Sequence, residues 1–258
     1  MTSLANSRWL ADTPEAQPFL IDGNEVGILL LHGFTSTPQS VRHVGHAAQA
    51  ASGATVLAPL LAGHGETPEV LATTGQRDWI ASAEAALEQL RKRCGRIVVA
   101  GLSLGATLAL NLAARRPEVV DAVVSINGST GLYRPEVVLP LFQPNGPEFL
   151  PGIGSDIRDE KVRELSYDRI PRATLRERFL LTHTTGALLP LIKQPCLVIQ
   201  SREDHVVSPD NALRIVRDVA SDDVRLVWLR ESWHVATLDH DRDRIARLIS
   251  DFVLTLGR

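Results

Sequence analysis

Residues 98–110 read VVAGLSLGATLAL and set Ser103 between Gly101 and Gly105. An apolar run of β type precedes the serine and a run of helix formers follows it. G-x-S-x-G at such a strand-to-helix turn presents a serine hydroxyl as a nucleophile. In so sharp a turn the strand end and the helix start almost touch, so side chains at 101 and 105 would collide there. The serine is expected in a strained backbone conformation, beside the free N–H groups of the helix that follows. A glycine-rich turn chosen for packing alone is the plain alternative. A phosphate-binding loop is not indicated, because neither G-x-x-x-x-G-K-[ST] nor G-x-G-x-x-G occurs there.

A serine hydroxyl is a poor nucleophile until a base takes its proton. The eight histidines are His32, His43, His46, His64, His183, His205, His234 and His240. In an open α/β sheet, functional side chains gather beyond the carboxyl ends of the strands. That favours His32, His64, His205 and His234. Of these four, His234 in the loop RESWH follows late enough to complete the chain order Ser…Asp…His. His43 and His46 read as helix-surface residues, and His240 as a residue at the start of the last helix. The acid that orients the base should lie in the loop REDHVVSP, which offers Glu203, Asp204 and, further on, Asp210. Asp204 is the first choice, because Val206 and Val207 would pack inward behind it, and Glu203 is the second. A helix-capping aspartate and a packed histidine are the bland alternatives for Asp204 and His234.

The oxyanion of an acyl-transfer reaction needs donors. Leu104 offers its backbone N–H at the helix start. The loop LHGFTSTP offers a second at Phe34, where Gly33 permits close backbone approach. The Phe34 ring would lie near the acyl group. His32 is expected to orient this loop by hydrogen bonding.

These residues need a frame. Apolar runs at GILLLHG (27–33), TVLAPL (55–60), RIVVAG (96–101), DAVVSING (121–128), PCLVIQS (195–201) and VRLVWL (224–229) alternate with helical patterns at 38–52, 77–93, 104–116, 210–219 and 239–256. The runs are apolar on both faces, as strands of a covered parallel sheet are. The expected fold class is therefore α/β, with right-handed crossovers. PFLIDG (18–23) could be an antiparallel edge strand. Residues 129–190 break the alternation, first rich in Pro and Gly, then helical and charged, and are too long for an ordinary loop. They read as an inserted cap between core segments 1–128 and 191–258. Its apolar residues, among them Leu132, Val138, Leu139, Phe142, Phe149 and Ile153, could line an acyl pocket, with Leu139, Phe142 and Ile153 as substrate-binding candidates, or could simply pack the insertion onto the core.

The bulk numbers fit one such domain. The chain has 258 residues, is 44% hydrophobic and 22% charged, and carries a net charge of −3. That is not the basic footprint of a nucleic-acid binder. Cys94 and Cys196 have no metal-type spacing and read as buried thiols, which suits a reducing compartment. Residues 1–19 hold no continuous apolar run, so a cleaved export signal is not expected. Runs such as VGILLL at 26–31 are far too short for a transmembrane segment. A cytoplasmic location follows as the expectation.

LLLHGFTSTPQS, LLAGHGETPEVL, AGLSLGATLAL, SREDHVVSP and the final SWH together resemble the α/β-hydrolase superfamily, and within it the small bacterial carboxylesterase and monoacylglycerol lipase branch. The resemblance covers the core on both sides of the insertion and matches the cap less clearly. It implies the α/β-hydrolase fold, a mostly parallel central sheet flanked by helices with a small inserted cap. It also implies Ser103 as nucleophile, Asp204 as acid, His234 as base, and the backbone N–H groups of Phe34 and Leu104 as oxyanion donors. The sequence departs from the pattern at Ser36 and Ala106, where relatives often have Gly. The implied activity is hydrolysis of small-molecule carboxylic esters, of short- to medium-chain acyl groups or monoacylglycerols, through an acyl-enzyme with no cofactor and no metal. The same triad would serve a thioesterase, an amidase or a carbon–carbon bond hydrolase, and a slow-turnover ligand-binding receptor could retain it.

Overall fold

The computed structural model describes residues 10, 12–133 and 135–256. Most of the N-terminal stretch read for an export signal, residues 1–9 and 11, lies outside them. The strands are β1 (Phe19–Ile21), β2 (Asn24–Leu31), β3 (Ala54–Ala58), β4 (Arg96–Leu102), β5 (Ala122–Ile126), β6 (Phe149–Pro151), β7 (Arg169–Pro171), β8 (Cys196–Ser201) and β9 (Val224–Leu229). The helices are α1 (Gln39–Ser52), α2 (Pro68–Ala72), α3 (Gln76–Arg91), α4 (Leu104–Arg115), α5 (Pro135–Val138), α6 (Arg172–Leu188), α7 (Asp210–Asp218) and α8 (Arg242–Leu256). The main sheet runs β1-β3-β2-β4-β5-β8-β9. Its pairs are parallel except β1 with β3, which is antiparallel at the edge.

Period-two alternation sends side chains to opposite faces of the sheet. Ile28 and Leu30 of β2, with Val98 and Ala100 of β4, pack under Val41 and Val44 of α1 and Ile249 and Phe252 of α8. Leu29 and Leu31, with Ile97 and Val99, pack under Trp79 and Leu87 of α3 and Leu108 and Leu112 of α4. This is the layered arrangement that near-continuous apolar strands require. All of α4 except Arg115 is buried, so the helix behind Ser103 is held on every side.

The order reverses at β2, which pairs with β3 on one side and β4 on the other. Ligand crevices form beyond the strand ends at such a reversal. Register then aligns the loops. Leu31 pairs with Gly101, Leu102 with Ile126, Ile126 with Ile199, and Ser201 with Leu229. The loops after β2, β4, β5, β8 and β9 therefore open at the same rim.

Residues 129–190 hold α5, the two-stranded antiparallel ribbon of β6 and β7, and α6. Tyr167, Ile170, Leu181 and Leu189 of this segment join the same apolar cluster as α3 and α4. Helix α2 and a short 3-10 turn at Pro14–Ala16 are additional to the elements expected from periodicity. The last helix starts at Arg242, three residues later than expected, because 239–241 are used in side-chain bonding described below.

Candidate active site

Ser103 has φ 55° and ψ −112°, a left-handed conformation that non-glycine residues rarely adopt. A side chain on Gly101 would overlap the backbone of Gly105, and one on Gly105 would overlap the carbonyl oxygen of Leu31. Both glycines are thus demanded by the close approach of β4, α4 and the end of β2. The Ser103 N–H donates to Ile126 O at 2.9 Å, which ties the turn to β5.

The three expected side chains meet. His234 Nε2 lies 2.9 Å from Ser103 Oγ, and His234 Nδ1 lies 2.9 Å from Asp204 Oδ2. An ionised carboxylate can only accept. Nδ1 therefore carries the proton, and Nε2 is left to accept from the serine hydroxyl. Asp204 Oδ1 accepts from the N–H groups of Val206 at 2.9 Å and Val207 at 2.8 Å, and Oδ2 also accepts from Gln200 Nε2 at 3.3 Å. Burial works against the Asp204 charge, but the neighbouring imidazole and these donors hold the carboxyl below its usual range. Burial likewise disfavours protonated His234, yet the Asp204 charge and hydrogen bond outweigh it and raise the imidazole above the usual histidine value. Glu203 is exposed, and Asp210 begins α7.

Leu104 is the first residue of α4, so its N–H precedes the helical ladder. Among the described residues neither this N–H nor that of Phe34 has an intramolecular acceptor. A Cβ on Gly33 would stand 3.7 Å from the Ser103 Cβ, which puts the loop of Phe34 beside the serine. His32 is buried, its Nδ1–H donates to Gly33 O at 2.9 Å, and its Nε2 accepts from Leu61 N–H at 3.1 Å. Burial, with nearby His64, lowers its pKa to about 3, so it stays neutral and ties two loops together. The Phe34 ring packs edge-on against Trp79 and His64.

Several residues that position His234 were not found from sequence. Asn127, at the end of β5 with φ 47°, donates through Nδ2 to His234 O at 2.7 Å and accepts the Ser201 N–H at 2.7 Å. Asp156 accepts from the backbone of His234, and Asp239 from the N–H groups of Arg158, Asp159, Trp233 and His240. Residues 156–159 are thereby stitched to the loop that carries His234. Glu164 is part-buried beside the triad. Burial raises its carboxyl above the usual range, opposed by the nearby buried Ser36 hydroxyl and by the His234 charge. The only sequence signal for these residues was a polar side chain at a strand end or in a Pro/Gly-rich stretch.

A cavity of about 290 Å³ lies between α6, the loop after β5 and the loop after β8. Ile153 lines it, with Leu132, Val138, Leu175, Phe179, Val206 and Val207. Leu139 and Phe142, expected to contact substrate, are not on its wall. They are 65% and 51% exposed, Leu139 on the outer surface and Phe142 beneath the Arg176 guanidinium. Pro140 lies between them in a 3-10 turn, which turns both side chains outward. Among the described residues no three His, Cys, Asp or Glu side chains gather as a metal-ligand set, and no helix is long and apolar enough to cross a membrane.

Residues 28–248 match the family model described as the alpha/beta hydrolase family. The chain is 40% identical over 238 residues to a thermostable monoacylglycerol lipase of Bacillus sp. (strain H-257), covering 92% of this chain and 94% of that one. It is 30% identical over 240 residues to a carboxylesterase of Bacillus subtilis (strain 168), covering 92% and 96%. Among solved structures, one from work on LipS and LipT, two metagenome-derived lipolytic enzymes, superposes with a TM-score of 0.90 at 39% identity, covering 94% of this chain and 98% of that one. With the fold, the strained serine turn and a family match across most of its length, the chain belongs to the alpha/beta hydrolase family.

Proposed function

We propose that the chain hydrolyses carboxylic esters of short- to medium-chain acyl groups, monoacylglycerols among them, through an acyl-enzyme on Ser103. The observation that carries this reading is the unbroken chain of contacts from Ser103 Oγ through His234 to Asp204. His234 Nε2 takes the serine proton as Oγ attacks the ester carbonyl. Asp204 holds the imidazole in the required tautomer and stabilises its cation. The N–H groups of Phe34 and Leu104 stabilise the tetrahedral oxyanion. The imidazolium then gives its proton to the leaving alcohol, and the neutral imidazole activates water for deacylation.

The similarity to a monoacylglycerol lipase and to a carboxylesterase supports the substrate class. So does Glu164, a carboxyl beside Ser36 and His234 that can accept hydrogen bonds from the free hydroxyls of a glycerol leaving group. The apolar wall of the 290 Å³ cavity gives room for one short acyl chain. The test is a substrate panel of monoacylglycerols, p-nitrophenyl esters, acyl-CoA thioesters and triacylglycerol emulsions, run beside Ser103→Ala. Monoacylglycerols and medium-chain p-nitrophenyl esters should give the highest kcat/KM. A preference for long-chain triacylglycerol emulsions or for thioesters would contradict the reading.

A further inference from the structure

Arg178, on α6, is only 5% exposed and lines the cavity. Its hydrogen bonds go to two hydroxyls, Thr182 Oγ1 at 3.5 Å and Ser129 Oγ at 3.3 Å. Among the described residues no carboxylate lies within ion-pair distance of it. The charge of nearby Asp204 favours the guanidinium, but its oxygens accept from His234, Gln200, Val206 and Val207 and make no direct ion pair with Arg178, whose other neighbour is the Phe179 ring at 5.6 Å. Burial pulls the guanidinium down to about 10, which leaves it charged at neutral pH. A charge held out of water without a direct ion pair is costly, and the cost is usually met by a partner.

The position of the cation is informative. Ser129 Oγ lies 3.5 Å from Thr107 Oγ1, one turn along α4 from Ser103. Val206 and Val207, on the same cavity wall, are the residues whose N–H groups hold Asp204. The cavity thus lies beside the turn that holds Asp204, with none of the triad residues on its wall, a mostly apolar lining and one buried cation that makes no direct ion pair. An apolar stem ending in an anion matches that lining, and a planar guanidinium matches a carboxylate.

We propose that this cavity is a subsite for a ligand with a carboxylate at the end of a short apolar chain, held by Arg178, as in the acyl group of a dicarboxylic half-ester. As a statement about substrates it rests on the ester-hydrolase reading, whereas as a statement about binding it does not.

Two measurements separate these. The first compares kcat/KM of the wild-type protein for mono-p-nitrophenyl adipate and p-nitrophenyl hexanoate, then repeats the pair with Arg178→Met and Arg178→Lys. The adipate-to-hexanoate ratio should fall by about tenfold or more in the Met variant, as loss of a charge-assisted contact requires, and by less in the Lys variant. The second titrates monomethyl adipate, hexanoate and hexanol into Ser103→Ala protein, with and without Arg178→Met. Both carboxylates should bind more tightly than hexanol, and the advantage should vanish with Arg178. Tighter binding of monomethyl adipate than of hexanoate identifies the half-ester as the source, and the reverse identifies a free acid. Carboxylate binding no better than that of hexanol, or unchanged by Arg178→Met, overturns the proposal. If Ser103→Ala protein keeps near-normal ester hydrolysis, the proposed acyl-enzyme on Ser103 fails while the titration still judges the subsite. Should the Met variant not fold, the wild-type titration and the Lys variant still decide.

Discussion

The carboxylate of Asp156 accepts a hydrogen bond from the backbone N–H of His234 at 3.0 Å. The same side chain accepts from the N–H of His205 at 3.3 Å and from His205 Nδ1 at 2.8 Å. One residue of the 129–190 segment therefore clamps the loop of His234 to the loop that carries Asp204. Asp156→Ala should lower kcat by about a hundredfold, the scale of a small misplacement of a reacting group, with KM little changed. Asp156→Asn, which keeps one carbonyl acceptor, should lose less. Steady-state kinetics on both variants check this, and an equal loss in kcat and thermal stability with no difference between Ala and Asn would point to a merely structural role.

The strained serine turn predicts where the chain cannot accept even a methyl group. Gly101→Ala and Gly105→Ala each force a Cβ into backbone atoms that have no room to move. Each should destabilise the fold by about 3 kcal/mol, the upper range for overpacking a filled core. Urea unfolding measures this directly, and a midpoint within error of wild type for both variants would show that the turn is looser than described.

The pH dependence follows from the direction of the His234 shift. The imidazole must be neutral to take the Ser103 proton, so activity is lost as pH falls through its folded-state pKa. Because that value is raised above 6.5 by Asp204 against the opposing effect of burial, the acid limb of kcat/KM should have its midpoint above 6.5. Asp204→Asn removes the charge, which should move the limb to lower pH and cut the rate by roughly three to four orders of magnitude. An acid limb below the ordinary histidine value in the wild-type protein would conflict with the geometry.

Glu164 predicts a difference between alcohols. Glu164→Leu removes a part-buried carboxyl near Ser36 and His234. The kcat/KM for monoacylglycerols should fall by about tenfold, as loss of a hydrogen bond implies, while that for p-nitrophenyl butyrate falls less. Equal losses on both substrates would remove Glu164 from alcohol recognition.

How far the chain could be read without coordinates depended on how local each signal was. The serine turn is written in five consecutive residues, and its glycines have a steric cause, so Ser103 was legible. His234 and Asp204 were legible because strand periodicity placed their loops and chain order selected among candidates. Asn127 and Asp156 were not, because their partner His234 lies 107 and 78 residues away and no period links them. Leu139 and Phe142 lie off the cavity wall for a related reason. Apolar type marks a residue for burial only when an element gives it a face, and in the Pro-rich stretch the 3-10 turn left both exposed. Arg178 lies in a stretch whose sequence marks it only as helical and charged, and packing against the loop after β5 makes it a buried cation.

The most direct test treats the purified protein with a fluorophosphonate and follows both the intact mass and p-nitrophenyl ester turnover. One phosphonyl group should attach, peptide mapping should place it on Ser103, and activity should be lost in proportion to labelling. Ser103→Ala should neither label nor turn over ester beyond a residual rate several orders of magnitude lower. Labelling at another residue, or near-normal hydrolysis by folded Ser103→Ala protein, would contradict the assignment of the nucleophile.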